Sequence, residues 1–371
     1  MNNSKISLLI VDDSALMRNL ITKMFDDVPD IHVAGTAMNG KFALKKLETL
    51  KPDVIILDLE MPEMNGIEFL KEREKRGIDI PVIILSSLAK KGAKITMEAL
   101  SLGASDFVLK PSGSISLDIH KTKDQLVELI RAYGGQYKKK RGETPPSSYE
   151  KIAQVDEKII DELRVIKPKE PVPSVQEVKR APIEIVAIGI STGGPNALRK
   201  VLPHLSSNLP TPVVIVQHMP AGFTKEFAES LNKICPLNVK EAEEGDTLER
   251  GKVFIAPGDK HMEVETGSTT NRIRLTNDPP VNGHRPSVDV LFKSVAKVYA
   301  RRSLAVIMTG MGKDGAKEIG RIYSMGGITI AQDEKTSIVY GMPRVAIESG
   351  VIHHVLPLEK IADKINELTL S

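Results

Sequence analysis

The stretch Val54-Ile55-Ile56-Leu57-Asp58-Leu59-Glu60-Met61-Pro62-Glu63-Met64-Asn65-Gly66 decides the fold of the first part of the chain. Four consecutive apolar residues leave no polar face. As a strand the run must therefore be covered on both sides, the condition met in a parallel sheet. A carboxylate ends the run, and a Pro/Asn/Gly cluster then turns the chain. The pattern recurs at Ser7–Val11, Val82–Leu85 and Phe107–Leu109, with a shorter run at His32–Ala34. Between these runs, Ala15–Phe25, Lys41–Leu50 and Ile67–Lys75 carry apolar residues at helical spacing. Alternating strands and helices build a parallel sheet with helices on both faces. Five strands and five helices are expected in residues 1–133, with Gly134-Gly135 stopping the last helix.

From Pro182 the alternation resumes, with strands expected at Ile183–Ile190, Val213–Val216, Lys252–Ala256, Leu304–Met308 and Ile328–Ala331. A hairpin-like stretch, His261–Leu275, interrupts it around Gly267. Residues 182–371 thus read as a second, doubly wound parallel-sheet α/β domain, with ligands expected beyond the carboxyl ends of its strands. Residues 134–181 have linker composition: Lys138-Lys139-Lys140-Arg141, then Pro145-Pro146-Ser147-Ser148, then Pro168, Pro171 and Pro173. Within the linker, Ile152, Val155, Ile159, Ile160 and Leu163 fall at the spacing of a short amphipathic helix.

The chain has 371 residues, 51 Lys+Arg, 48 Asp+Glu and one cysteine, Cys235. An intramolecular disulfide is excluded, and a reducing, cytoplasmic setting is expected. The apolar run Ile6–Val11 is too short for a signal-peptide core, and no stretch has the length of a membrane span. The net charge of +3 divides into −1 over residues 1–133, +1 over 182–371 and +3 over the segment between them. Neither α/β domain has the charge excess of a nucleic-acid binder. Lys138–Arg141 reads as a solvated run, with docking to an acidic surface as the alternative.

In the first domain, Asp12, Asp13, Asp58, Ser86 and Lys110 all follow strands, so a parallel sheet collects them at one edge. Clustered carboxylates repel one another unless a cation intervenes, and their hard oxygens suit Mg²⁺. A phosphoryl group on Asp58 would share that metal, with Lys110 as a point-charge clamp. Lys110-Pro111 turns the lysine toward the site and admits a cis bond. Asp12 or Asp13 alone would read as a helix cap, but the five together do not.

Residues 5–133 resemble the receiver domain of two-component response regulators. The resemblance rests on Val11-Asp12-Asp13-Ser14, Leu57–Gly66, Ser86-Ser87 and Phe107-Val108-Leu109-Lys110-Pro111. It implies Asp58 as phosphoacceptor, with Mg²⁺ held by Asp12, Asp13, Asp58 and the Glu60 backbone carbonyl. It also implies a histidine kinase as phosphodonor and Ser86, Phe107 and Lys110 as the switch.

In the second domain two motifs compete. Gly189-Ile190-Ser191-Thr192-Gly193 puts a serine on a strand-to-helix turn, where helix N-terminal amides can stabilise an oxyanion. Gly310-Met311-Gly312-Lys313-Asp314-Gly315 matches a dinucleotide fingerprint, with Asp333 where a ribose-binding acid would sit. Against that reading, Asp314 would repel a pyrophosphate. A serine nucleophile needs a base, and of eight histidines His218 alone follows a strong apolar strand of this domain. His261 and His284 lie in loops. Asp314, Asp259 and Asp333 are all candidates for the third member of a triad, and spacing does not separate them.

Residues 183–370 resemble the catalytic domain of the chemotaxis protein-glutamate methylesterases. The resemblance is carried by Gly189–Pro195, Gln217-His218-Met219-Pro220, Ile255–Met262, Gly283–Asp289, Thr309–Gly315 and Gly341-Met342-Pro343. Lys313 stands where that family has Asn, and the linker is longer than the family's. The resemblance implies a Ser191, His218, Asp314 triad that hydrolyses glutamate γ-methyl esters on methyl-accepting chemoreceptors and deamidates their glutamines. No cofactor is implied for the ester chemistry, and no nucleic acid or membrane insertion. The backbone amides of Thr192 and Met311 are the candidate oxyanion donors. A transcriptional regulator, the rival from another class, would need a basic helix-turn-helix that this region lacks.

Overall fold

The computed structural model describes residues 5–111, 117–152, 160, 163 and 181–370. The chain divides into two compact units, Met1–Ile152 and Ala153–Ser371. No helix among the described residues is long and apolar enough to cross a membrane.

Unit 1 holds five parallel strands, β1 (Ile6–Val11), β2 (Ile31–Ala37), β3 (Val54–Asp58), β4 (Val82–Ser86) and β5 (Asp106–Leu109), in the order β2-β1-β3-β4-β5. Its helices are α1 (Ala15–Met24), α2 (Gly40–Leu50), α3 (Gly66–Lys75), α4 (Lys90–Ser101), α5 (Leu117–Lys140) and α6 (Ser147–Ile152). Every residue of β3 and β4 is buried, as the unbroken apolar runs require. Asn65 starts α3 through a capping box with Glu68, which explains the polar end of the stretch quoted above.

Two expectations are corrected here. Helix α5 does not stop at Gly134-Gly135 but runs on to Lys140. A Cβ on Gly134 would lie 2.5 Å from Ile6 Cγ2, and one on Gly135 would lie 2.2 Å from Tyr149 Cδ2. The two glycines therefore let the helix approach the sheet and α6, and helix packing outweighs their low helix propensity. The first unit accordingly extends past residue 133 to Ile152.

The basic run is solvated only in part: Lys139, Lys140 and Arg141 are exposed, but Lys138 is buried and three of the four make ion pairs. Lys138 is 4% exposed, with Nζ 2.9 Å from Glu143 Oε2 and 3.5 Å from Asp53 Oδ2. Arg141 pairs with Asp53 and Glu143, and Lys140 Nζ lies 2.6 Å from Asp79 Oδ2. The acidic surface that the run docks on belongs to its own unit. The Lys110-Pro111 bond is trans, since the one cis bond among the described residues is Arg285-Pro286.

Unit 2 is built on seven parallel strands: β6 (Ile185–Ile190), β7 (Val213–Gln217), β8 (Asn238–Glu241), β9 (Lys252–Ile255), β12 (Ser303–Ile307), β13 (Ile328–Gln332) and β14 (His354–Leu356). Their order is β14-β13-β12-β6-β7-β9-β8. The hairpin β10 (His261–Glu265) and β11 (Arg272–Thr276) is antiparallel, as expected around Gly267. The edge strands β8 and β14 were not expected from sequence. They are three or four residues long and mostly not buried, so neither carries an apolar run. Helices α7 (Gly194–Val201), α8 (Phe223–Asn232), α9 (Val288–Tyr299), α10 (Ala316–Ser324), α11 (Met342–Glu348) and α12 (Leu358–Leu370) complete the unit.

Of the short helix expected in the linker, Ile152 ends α6, while Val155 and Ile159 lie outside the described residues. Ile160 and Leu163 are buried in the core of unit 2 with Phe254, Leu291 and Phe292.

Candidate functional site

The strand order places the chemistry. β6 pairs with β7 on one side and β12 on the other, so the chain winds outward in both directions from β6. A crevice opens beyond the carboxyl ends at such a reversal. Ser191 leaves β6, His218 leaves β7, and the loop 308–315 leaves β12. Backbone bonds tie the three exits together: Ser191 N donates to Thr309 O (3.0 Å) and His218 N to Ile190 O (3.2 Å). Gly310 lies directly against the serine, since a Cβ there would sit 2.8 Å from Ser191 Cβ and 2.4 Å from Met342 Sδ. The glycine that resembled part of a phosphate loop serves this close approach.

His218 lies between the other two side chains. Its Nδ1 is 3.0 Å from Ser191 Oγ and its Nε2 is 2.9 Å from Asp314 Oδ2. A carboxylate only accepts, so Nε2 carries the proton and Nδ1 presents its lone pair to the hydroxyl. Asp314 is 1% exposed and sits at the N-terminus of α9. Its Oδ2 also accepts from Val288 N (2.7 Å), and its Oδ1 accepts from Ser287 Oγ (2.7 Å), Asn282 Nδ2 (2.9 Å) and Asp289 N (3.2 Å). Burial opposes the charge, but His218, Asn282 and Ser287 together hold this carboxyl well below the ordinary carboxylate range.

The rival acids are engaged elsewhere. Asp259 Oδ1 accepts from Arg285 Nε and Nη2 at 3.0 and 2.6 Å, and Asp333 Oδ1 accepts from Thr336 N and Oγ1 at 3.0 and 2.6 Å. Thr192 and Met311 flank the serine on its two neighbouring loops, half-buried, and neither amide has a hydrogen-bond partner among the described residues.

Sequence reasoning missed four residues of this site. His284, set aside as a loop histidine, stacks on His218 with ring centroids 3.8 Å apart and planes 9° from parallel. Burial, followed by the neighbouring His218, lowers its pKa to about 4, so it stays neutral near pH 7. Asn282, Ser287 and Asp289 gather around Asp314. A local signal existed in Asn282-Gly283: φ values of 53° and 79° and a Val281–His284 bridge make the tight hairpin turn that Asn-Gly favours. Nothing local says that this turn reaches the loop after β12.

In unit 1 the strand-end residues also converge. Lys110 Nζ is 2.6 Å from Asp58 Oδ2 and 3.1 Å from Asp12 Oδ2. Oxygens of Asp12, Asp13 and Asp58 lie within 4.8 Å of one another, a hard-ligand set that fits a divalent cation. Burial pushes the Asp58 carboxyl up, Asp12 adding to it, against the pull of Lys110. Ser86 Oγ accepts from Thr96 Oγ1 (2.6 Å) and borders a cavity of about 30 Å³ shared with Asp58, Glu60 and Lys110. The Glu60 carboxylate faces outward to Lys91 at 3.4 Å, and Phe107 is half-buried on β5.

Comparison with known proteins agrees with both halves. The CheB methylesterase family model matches residues 186–365, and the response regulator receiver domain model matches residues 8–120. A protein-glutamate methylesterase/protein-glutamine glutaminase of Treponema denticola is 53% identical over 365 residues, covering 97% of each chain. One from Treponema pallidum is 48% identical over 98% of this chain and 97% of its own. The crystal structure of the Thermotoga maritima CheB methylesterase catalytic domain matches with a TM-score of 0.50 at 44% identity, covering 51% of this chain and all of that one. The likeness runs through receiver and esterase units alike, and the chain belongs to the protein-glutamate methylesterase/protein-glutamine glutaminase family.

Proposed function

We propose that unit 2 hydrolyses the γ-methyl esters of glutamates on methyl-accepting chemoreceptors, and that unit 1 gates it by phosphorylation at Asp58. The observation that carries the reading is the continuous relay from Ser191 Oγ through His218 to Asp314. Ser191 Oγ attacks the ester carbonyl while His218 Nδ1 takes its proton. The imidazolium so formed donates Nε2–H to Asp314, which stays ionised throughout. The amides of Thr192 and Met311 donate to the oxyanion. Collapse expels methanol, which leaves with the Nδ1 proton. Water, deprotonated by Nδ1, then releases the glutamate and frees the serine. With a glutamine side chain the same sequence expels ammonia, so deamidation needs no further group.

In unit 1, Asp12, Asp13, Asp58 and the Glu60 carbonyl would hold Mg²⁺, which when bound neutralises charge around a phosphoryl group. A histidine kinase supplies the phosphoryl group, Lys110 pairs with it, and Ser86 closes on it with Phe107 following. The chain's single cysteine supports a reducing, cytoplasmic setting for this work. Methanol release from methylated receptors tests the reading. Ser191→Ala should lower it by several orders of magnitude, and retention of most activity would remove the assignment.

A further inference from the structure

The residues that hold Asp314 are not all backbone. Asn282 spends both hydrogens of its carboxamide on two different carboxylates: Nδ2 is 2.9 Å from Asp314 Oδ1 and 2.7 Å from Asp289 Oδ2. Asp289 is itself 8% exposed, and its Oδ1 accepts from Glu318 N (3.1 Å) at the first turn of α10. Two buried carboxylates thus share one bridging amide, and the amide cannot rotate without losing a bond to one of them. A second buried carboxylate is costly, and the relay from Ser191 to Asp314 does not touch it. Deepening the proposed esterase reading, on which it rests, we infer that Asn282 and Asp289 act as a paired positioning device that fixes the plane of Asp314 and, through it, the His218 imidazole.

The surrounding charges bear on how the pair would be detected. Asp289, in the first turn of α9, is faced by Asp314 from the loop after β12 and by Glu318, with its Arg321 partner, from α10; His218 and His284 in turn face Asp314. Burial, followed by the neighbouring Asp314, pushes the Asp289 carboxyl up to about 6, so Asp289 takes up a proton in a range where Asp314 stays ionised. Asp289→Asn removes that titration, so the pH dependence of kcat/KM around pH 6 changes shape, a change that loss of packing alone does not produce.

The test compares Asn282→Gly, Asp289→Asn and the double variant in the full chain, reading methanol release from methylated receptor across pH. Glycine keeps the positive-φ turn and removes only the amide. Asn282→Gly and Asp289→Asn should each lower kcat roughly tenfold with KM nearly unchanged, and the double variant should fall no further than the worse single one. Asp289→Asn should also flatten the pH dependence of kcat/KM around pH 6, where Asn282→Gly keeps the titrating group. Should Asp289→Asn fail to fold, Asn282→Gly decides, because the turn is exposed. Parent-like kcat, or costs that simply add, would overturn the pairing while leaving the relay standing. Activity in Ser191→Ala would instead overturn the relay itself.

Discussion

At the scale of single residues, the site depends on spaces kept empty as much as on groups kept near. Gly310 has no room for a methyl group, because Ser191 and Met342 already occupy it. Gly310→Ala should push the loop off the serine and lower kcat about a hundredfold, since displacement of a reacting group by an ångström costs that much. Methanol-release kinetics check it, and a parent-like rate would show that the loop yields. His284 offers a different test. The folded protein resists protonating it down to about pH 4, whereas the unfolded chain takes the proton near 6.5. Between those values the unfolded state binds more protons, so the stability contributed by this group falls as pH drops. His284→Phe keeps an aromatic ring on His218 but cannot titrate. Relative to the parent it should gain about 2 kcal/mol on going from pH 7 to pH 5, measured by urea unfolding. A pH-independent difference would contradict the burial argument.

At the scale of elements, the central strands were legible because buried parallel strands carry continuous apolar runs. β3, β4, β6, β7 and β12 are buried at every position. The edge strands β8 and β14 lack such runs, since one side of each faces no neighbouring strand. The end of α5 misled for a related reason. Glycine is a poor signal for a helix interior, and only contacts with Ile6 and Tyr149 show why Gly134 and Gly135 are there, as contact with Asp53 does for Lys138. The resulting clamp is open to test. Asp53 accepts from Ser7 N (2.8 Å) and pairs with Lys138 and Arg141. Removing one partner leaves a buried charge with less compensation, a loss of about 3 kcal/mol. Asp53→Ala should lower the unfolding transition of unit 1 accordingly in calorimetry, and an unchanged transition would mean that Glu143 alone suffices for Lys138.

At the scale of the whole molecule, two units of the same general architecture do different work at the same end of their sheets. One gathers carboxylates and a lysine, the other a serine, a histidine and a single carboxylate, each beyond the carboxyl ends of parallel strands. Coupling between them is a matter for experiment on the intact chain. Asp58→Asn should abolish stimulation of methanol release by acetyl phosphate with Mg²⁺ while leaving basal hydrolysis measurable. Stimulation that survives would refute Asp58 as phosphoacceptor.

The amino-acid sequence by itself determined the two α/β domains, their central strands and the residue types waiting at the strand ends. It could do so because apolar periodicity and turn chemistry are local properties of a chain. Spacing left Asp314, Asp259 and Asp333 open, and only a family resemblance chose among them. The tertiary structure shows Asp314 meeting His218, and it alone decided that Nδ1 rather than Nε2 faces the serine and that His284, Asn282 and Asp289 belong to the same site. Strand order sets those proximities, and strand order is settled by packing between residues far apart in the chain. The same physics moved the +3 excess from a loose linker, in part, onto a folded surface. Lys138, Lys140 and Arg141 have partners only because α5 continues past two glycines to bring them there.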